Sequence, residues 1–77
     1  MSESRTQDQV RRALRHDLRN PLSIILGRCE LLESGVLGSL EPVQQESIAV
    51  IERHARRIVD EIDRLAALLE DPSSAPR

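Results

Sequence analysis

One short stretch of this chain gathers side chains able to do chemistry: Arg15-His16-Asp17-Leu18-Arg19-Asn20-Pro21-Leu22. At about 100° per helical residue, His16 lies roughly 160° from both Leu14 and Leu18, so its imidazole points away from the apolar stripe and towards solvent. Asp17, the next residue, is able to accept a hydrogen bond from one ring nitrogen, which fixes the tautomer and leaves the other nitrogen more nucleophilic. Asn20 stands one turn on along the same face. Arg12 and Arg19, at i−4 and i+3, flank the patch and would offset charge on a bound phosphoryl group. Pro21 interrupts otherwise helical sequence. It removes its own N–H, clashes with the Asp17 carbonyl and costs about 3 kcal/mol in a helix interior, so a kink or loosening is expected beside His16. Ser23 and Gly27 continue the face, and Gly27 is disfavoured in mid-helix by about 1 kcal/mol relative to Ala. This row reads either as a groove approached by a partner or as a solvent stripe that tolerates a glycine. An ordinary surface histidine is the alternative for His16 taken without its neighbours.

Two amphipathic stretches position these residues. The first carries Val10, Leu14, Leu18, Leu22, Ile25, Cys29 and Leu32 at steps of three and four, one face of a helix. The second carries Ile48, Ile51, Ala55, Ile58, Ile62, Leu65 and Leu69, three heptads of a and d positions. Val59, Ala66 and Leu68 widen that stripe, which suits more than two neighbouring helices. Gly35 is a suitable left-handed residue to close the first helix, and Ser39 a suitable N-cap for the second, with Glu41 and Pro42 in its first turn. The expected organisation is a polar extension over 1–7, helix one over about 5–34, a loop over about 35–39, helix two over about 40–70 and a linker-like tail over 71–77. A loop this short makes the helices antiparallel. A turn centred near Leu37 would set His16 level with about Ile58.

The fold class is therefore all-α: an antiparallel two-helix hairpin. A chain of 77 residues has room for one small domain and buries little surface alone. With one cysteine, no disulfide and no metal cage to staple it, self-association into a four-helix bundle is the economical answer. The 39% apolar content includes no Phe, Tyr or Trp, so the core is aliphatic and no base-stacking platform exists. A formal net charge of −2 argues against a hold on phosphate backbones, and neither helix has a uniformly basic face, so a nucleic-acid partner is not expected. All 11 basic residues are Arg, which excludes Schiff-base and P-loop lysines. The apolar runs are too short to span a membrane and the N-terminus is not a signal peptide. Cys29 reads as a buried inert thiol and His54 as a surface histidine, and no metal pattern is visible.

The run His16-Asp17-Leu18-Arg19-Asn20-Pro21-Leu22 resembles the H-box of the dimerisation and histidine-phosphoacceptor domain of bacterial two-component sensor histidine kinases. It fits at every position, and the hairpin over about 8–70 has that domain's layout. The resemblance implies that His16 accepts the γ-phosphoryl group of ATP, with Asp17 as orienting base, Asn20 positioning water for a phosphatase reaction and Pro21 as helix hinge. It also implies that Ser23, Gly27 and the adjoining face of helix two dock the receiver domain of a response regulator, whose aspartate takes the phosphoryl group. The partners so implied are a second copy of the chain, a catalytic ATP-binding domain and that receiver. No cofactor is expected on this chain, ATP and Mg²⁺ belonging to the catalytic domain and the receiver. The asparagine and glycine boxes of the ATP-binding domain are absent, so the chain alone is expected to be inactive, as part of a longer kinase or as a module served in trans. A cytoplasmic location is implied. The competing reading is a structural dimerisation hairpin without phosphotransfer, which has no use for an exposed His-Asp pair followed by a costly proline.

Overall fold

The structure, a computed structural model, describes residues 2–69. It is a single elongated hairpin, 54 Å long and 24 Å by 14 Å across. Helix one is continuous but not uniform: α1 (Ser2–Arg12), a π-helical segment (Ala13–Leu18) and α2 (Arg19–Glu33). Helix two is α3 (Pro42–Leu68), and among the described residues there is no strand. The stretch read as a polar extension is thus helical from Ser2 onward. The expected end of helix two at 70 and the tail 71–77 lie outside the described residues.

Gly35 closes helix one as anticipated. It sits at φ 83°, where an L side chain would be strained, and its N–H reaches the Leu32 carbonyl at 3.3 Å. The start of helix two corrects the expectation of a Ser39 cap. Glu41 is the N-cap, in extended conformation at ψ 153°, with Pro42 opening the helix. The residue before a proline is pushed out of the helical region, so the boundary is fixed at 41 rather than at the serine two residues earlier. Glu41 and Gln44 form a reciprocal capping box, in which the Glu41 N–H donates to Gln44 Oε1 at 2.9 Å.

Only part of each apolar stripe is used inside the hairpin. Cys29 of helix one and Ile48, Ala55, Ile62 and Ala66 of helix two form its buried core. The heptads of helix two divide: the row Ile48, Ala55, Ile62 faces helix one, while Ile51, Ile58 and Leu65 remain 52%, 49% and 40% exposed. On helix one, Val10, Leu18 and Ile25 are also exposed, as is Leu68 of the widened stripe. One neighbouring helix covers only one of the two rows that a heptad pattern generates.

The register also differs from a symmetric turn. Arg15 and Arg19 both reach Asp63, and Arg56 reaches Glu30 at 3.8 Å. Asp63, not Ile58, is therefore level with the turn that bears His16. After Glu33 the connection runs through Ser34–Glu41 beyond the end of helix one, so the first turns of helix two overhang it.

Candidate functional site

The loosening expected from Pro21 takes a defined form. An i−4 bond to the Asp17 carbonyl is impossible at Pro21, and the segment that contains Asp17, Ala13–Leu18, is wound as π-helix. The wider turn accommodates the interrupted ladder without a break, and α2 resumes at Arg19, whose N–H bonds to the His16 carbonyl. Such turns in the middle of an α-helix commonly mark functional positions. Both His16 and Asp17 lie in it, and both are exposed.

Arg12, Arg19, Asn20, Pro21, Ser23 and Gly27 are likewise exposed along helix one. The structure thus presents His16 and Asn20 to solvent, as their spacing anticipates. Among the described residues, Asp17 makes no hydrogen bond to the imidazole, since adjacent helical residues do not face each other. An orienting contact needs a change of side-chain rotamer. A Cβ built at Gly27 meets nothing within 4 Å, so no close approach inside this hairpin demands a glycine there.

Arg19 does not stand free over His16. Its guanidinium crosses to helix two and meets Asp63 Oδ1 at 3.6 Å, and Arg15 meets the same oxygen at 3.9 Å. Just beyond, towards the loop, Arg19, Ser23 and Leu26 face Arg56, Val59 and Asp60 across an open groove of about 320 Å³. The sequence pattern points to Arg19 and Ser23 but not to Asp63, Asp60 or Arg56 on helix two. The signal that would have found them is the register, which the loop geometry displaces.

Further down the hairpin, burial pushes the Cys29 thiol above its ordinary value, and the carboxylates of Glu52, Glu33 and Glu30 add to the effect. This holds the sulfur in its unreactive protonated form. Among the described residues no cluster of His, Cys, Asp and Glu is placed to hold a metal ion, and no helix is long and apolar enough to cross a membrane.

Comparison with known families decides the assignment. The family model of the His Kinase A (phospho-acceptor) domain matches residues 6–71. The chain belongs to this family. Comparison with curated proteins and with solved structures gave no match. A phosphoacceptor and dimerisation domain of histidine kinases accounts for the helical hairpin, for an exposed histidine in a disturbed helical turn, and for apolar rows left open on the outside.

Proposed function

We propose that His16 is the phosphoacceptor of this domain and that the working unit is a homodimer. The observation that carries the reading is the placement of His16: exposed, in the π-helical turn, at the head of the motif that ends at Leu22. Phosphoryl transfer asks for exposure, orientation and in-line approach rather than a deep pocket. A ring nitrogen of neutral His16, Nε2, attacks the γ-phosphorus of ATP held on a catalytic domain. The bond from phosphorus to the bridging oxygen breaks, ADP leaves, and the Nδ1 proton of the phosphoimidazolium passes to Asp17. The phosphoryl group then moves to the aspartate of a receiver domain docked along Ser23, Gly27 and the groove with Arg56, Val59 and Asp60. Asn20, one turn from His16, positions water for dephosphorylation of that regulator, and Arg12 lies near the phosphoryl group. The chain works in the cytoplasm, where ATP and regulator are present, and binds no nucleotide itself.

The homodimer follows from the unused apolar rows. Completing the burial of Leu18, Ile25, Ile51, Ile58 and Leu65, all exposed in the lone hairpin, stabilises by roughly 1 kcal/mol each. A second hairpin supplies two further helices and closes a four-helix bundle.

The chain mixed with ATP, Mg²⁺ and a histidine-kinase catalytic domain should acquire an acid-labile, base-stable phosphoryl group, and His16→Gln should acquire none. Equal labelling of the variant would falsify the assignment. Sedimentation should give a dimer at micromolar concentration, and Ile58→Glu should shift it to monomer. A folded wild-type monomer would contradict the bundle.

A further inference from the structure

Asp63 is the unexplained residue of the hairpin. Its Oδ1 is shut off from solvent and makes no hydrogen bond, a state that calls for a physical reason in any folded chain. The same oxygen is approached by Arg15 from inside the π-helical segment and by Arg19 from the first residue after it, at 3.9 Å and 3.6 Å. The two arginines flank His16-Asp17-Leu18. Asp63 is therefore a single point on the regular helix two to which both sides of the disturbed turn are tied. Both contacts stop a few tenths of an ångström short of hydrogen-bond distance, so a small inward shift of helix one would close them.

We propose that Asp63 is a positioning residue for His16: through Arg15 and Arg19 it holds the π-helical turn against helix two and so fixes the direction in which the imidazole is presented. The proposal rests on the reading of His16 as phosphoacceptor. The geometry suits the task. A helix missing a ladder bond at Pro21 is free to flex there, and of the two leucines that bracket the histidine Leu14 is half-buried while Leu18 is 49% exposed and anchors little within the hairpin. Ile62 and Ala66 are buried on the inner side of the turn, and the charge contacts from Asp63 add a restraint at its exposed rim. Partly exposed ion pairs are individually weak, so the restraint tunes the orientation of His16 and leaves the fold intact.

The test uses the full chain, ATP, Mg²⁺ and a histidine-kinase catalytic domain. Asp63→Asn keeps size and polarity and removes the charge. It should slow His16 labelling at saturating catalytic domain by about threefold to tenfold, leave the concentration for half-maximal rate unchanged, and raise amide hydrogen exchange at residues 15–19 while the rest of helix one is unaffected. Asp63→Glu should restore most of the rate. Arg15→Gln with Arg19→Gln should match Asp63→Asn, and the triple variant should lose nothing more. Wild-type rate and exchange in Asp63→Asn would overturn the positioning role, as would a loss that tracks melting temperature and is not rescued by Glu. Absence of label on the wild type would overturn the phosphoacceptor reading, and with it the role assigned to Asp63.

Discussion

The two ends of the hairpin are built on different principles. Towards the loop, α2 and α3 are regular helices. Cys29, Ile48 and Ala55 are buried there, both helix boundaries are fixed by local chemistry at Gly35 and at the Glu41–Gln44 box, and the thiol is kept inert. Around His16 the same helix is wound as π-helix, its outward apolar residue Leu18 is exposed, and its links to helix two include charges at 3.6 Å and 3.9 Å. Burial serves both ends, since Ile62 and Ala66 are buried on either side of Asp63 at the level of the disturbed turn. What the second end gives up is regular hydrogen bonding, and that is where the reactive side chain sits. Elements that must move or be approached are drawn from the less stable parts of a structure, and the proline makes this local weakness a covalent property of the chain.

Truncating the apolar groups at each end should break the comparison most severely if it is wrong. Ile48→Ala removes a buried side chain and should cost about 2–4 kcal/mol in thermal or denaturant unfolding. Leu18→Ala, with half its surface open, should cost under about 1 kcal/mol in a lone hairpin. In a dimer that covers Leu18 the loss should be larger and should grow as the protein is diluted. Equal losses for the two variants, independent of concentration, would mean that Leu18 beside His16 is packed as tightly as Ile48 near the loop.

Pro21→Ala should act in the opposite direction on stability. It restores an N–H able to reach the Asp17 carbonyl and removes the ring clash, so the chain should gain about 1–3 kcal/mol. Helix one should become regular through 13–18, with slowed amide exchange there. If the π-helical turn serves presentation of His16, labelling of the stabilised variant should fall. Undiminished labelling would show that the proline is merely tolerated.

The hairpin, its aliphatic core and the exposure of His16 were legible because they depend on periodicity and spacing within one helix. The split of the heptads into a covered row and an open row was implicit in the same pattern, since Ile51, Ile58 and Leu65 have no neighbour to meet inside a two-helix unit. What was not legible depends on relations between helices. Nothing within helix two singles out Asp63, and only the register brings it level with Arg15 and Arg19. A symmetric turn gives the wrong register because Pro42 excludes a helical Glu41 and moves the cap away from Ser39. The form of the disturbance at Pro21 was also beyond the sequence: a missing ladder bond permits a kink or a π turn, and the choice rests on how helix one lies along helix two.

The smallest expected effect concerns pH at the loop end. Partial desolvation lifts the carboxyl of Glu33 above the usual carboxylate range, and the hydrogen bond and charge of Glu52, with the charge of Glu30, add to the lift against the opposing charge of Arg56. Folded Glu33 therefore holds its proton more tightly than the unfolded chain does. The stabilisation linked to that proton is fully present below the ordinary carboxylate value of about 4.3 and is lost as pH rises through the raised value in the folded state. Glu61 works the other way. Its hydrogen bond to Arg64 lowers its carboxyl, so its contribution is present above the ordinary value and lost as pH falls through its lowered one. The two windows lie on opposite sides of that value and are separable. Melting temperature measured downward from pH 7 to about 4.5 should include a gain from Glu33, and Glu33→Gln, which retains a hydrogen-bond donor towards Glu52 without the charge, should flatten this part of the profile and raise the neutral-pH melting temperature slightly. The same substitution should leave the rate of His16 labelling unchanged, because nothing at Glu33 touches the π-helical turn. A change in that rate would show that the regular end and the disturbed end are coupled after all.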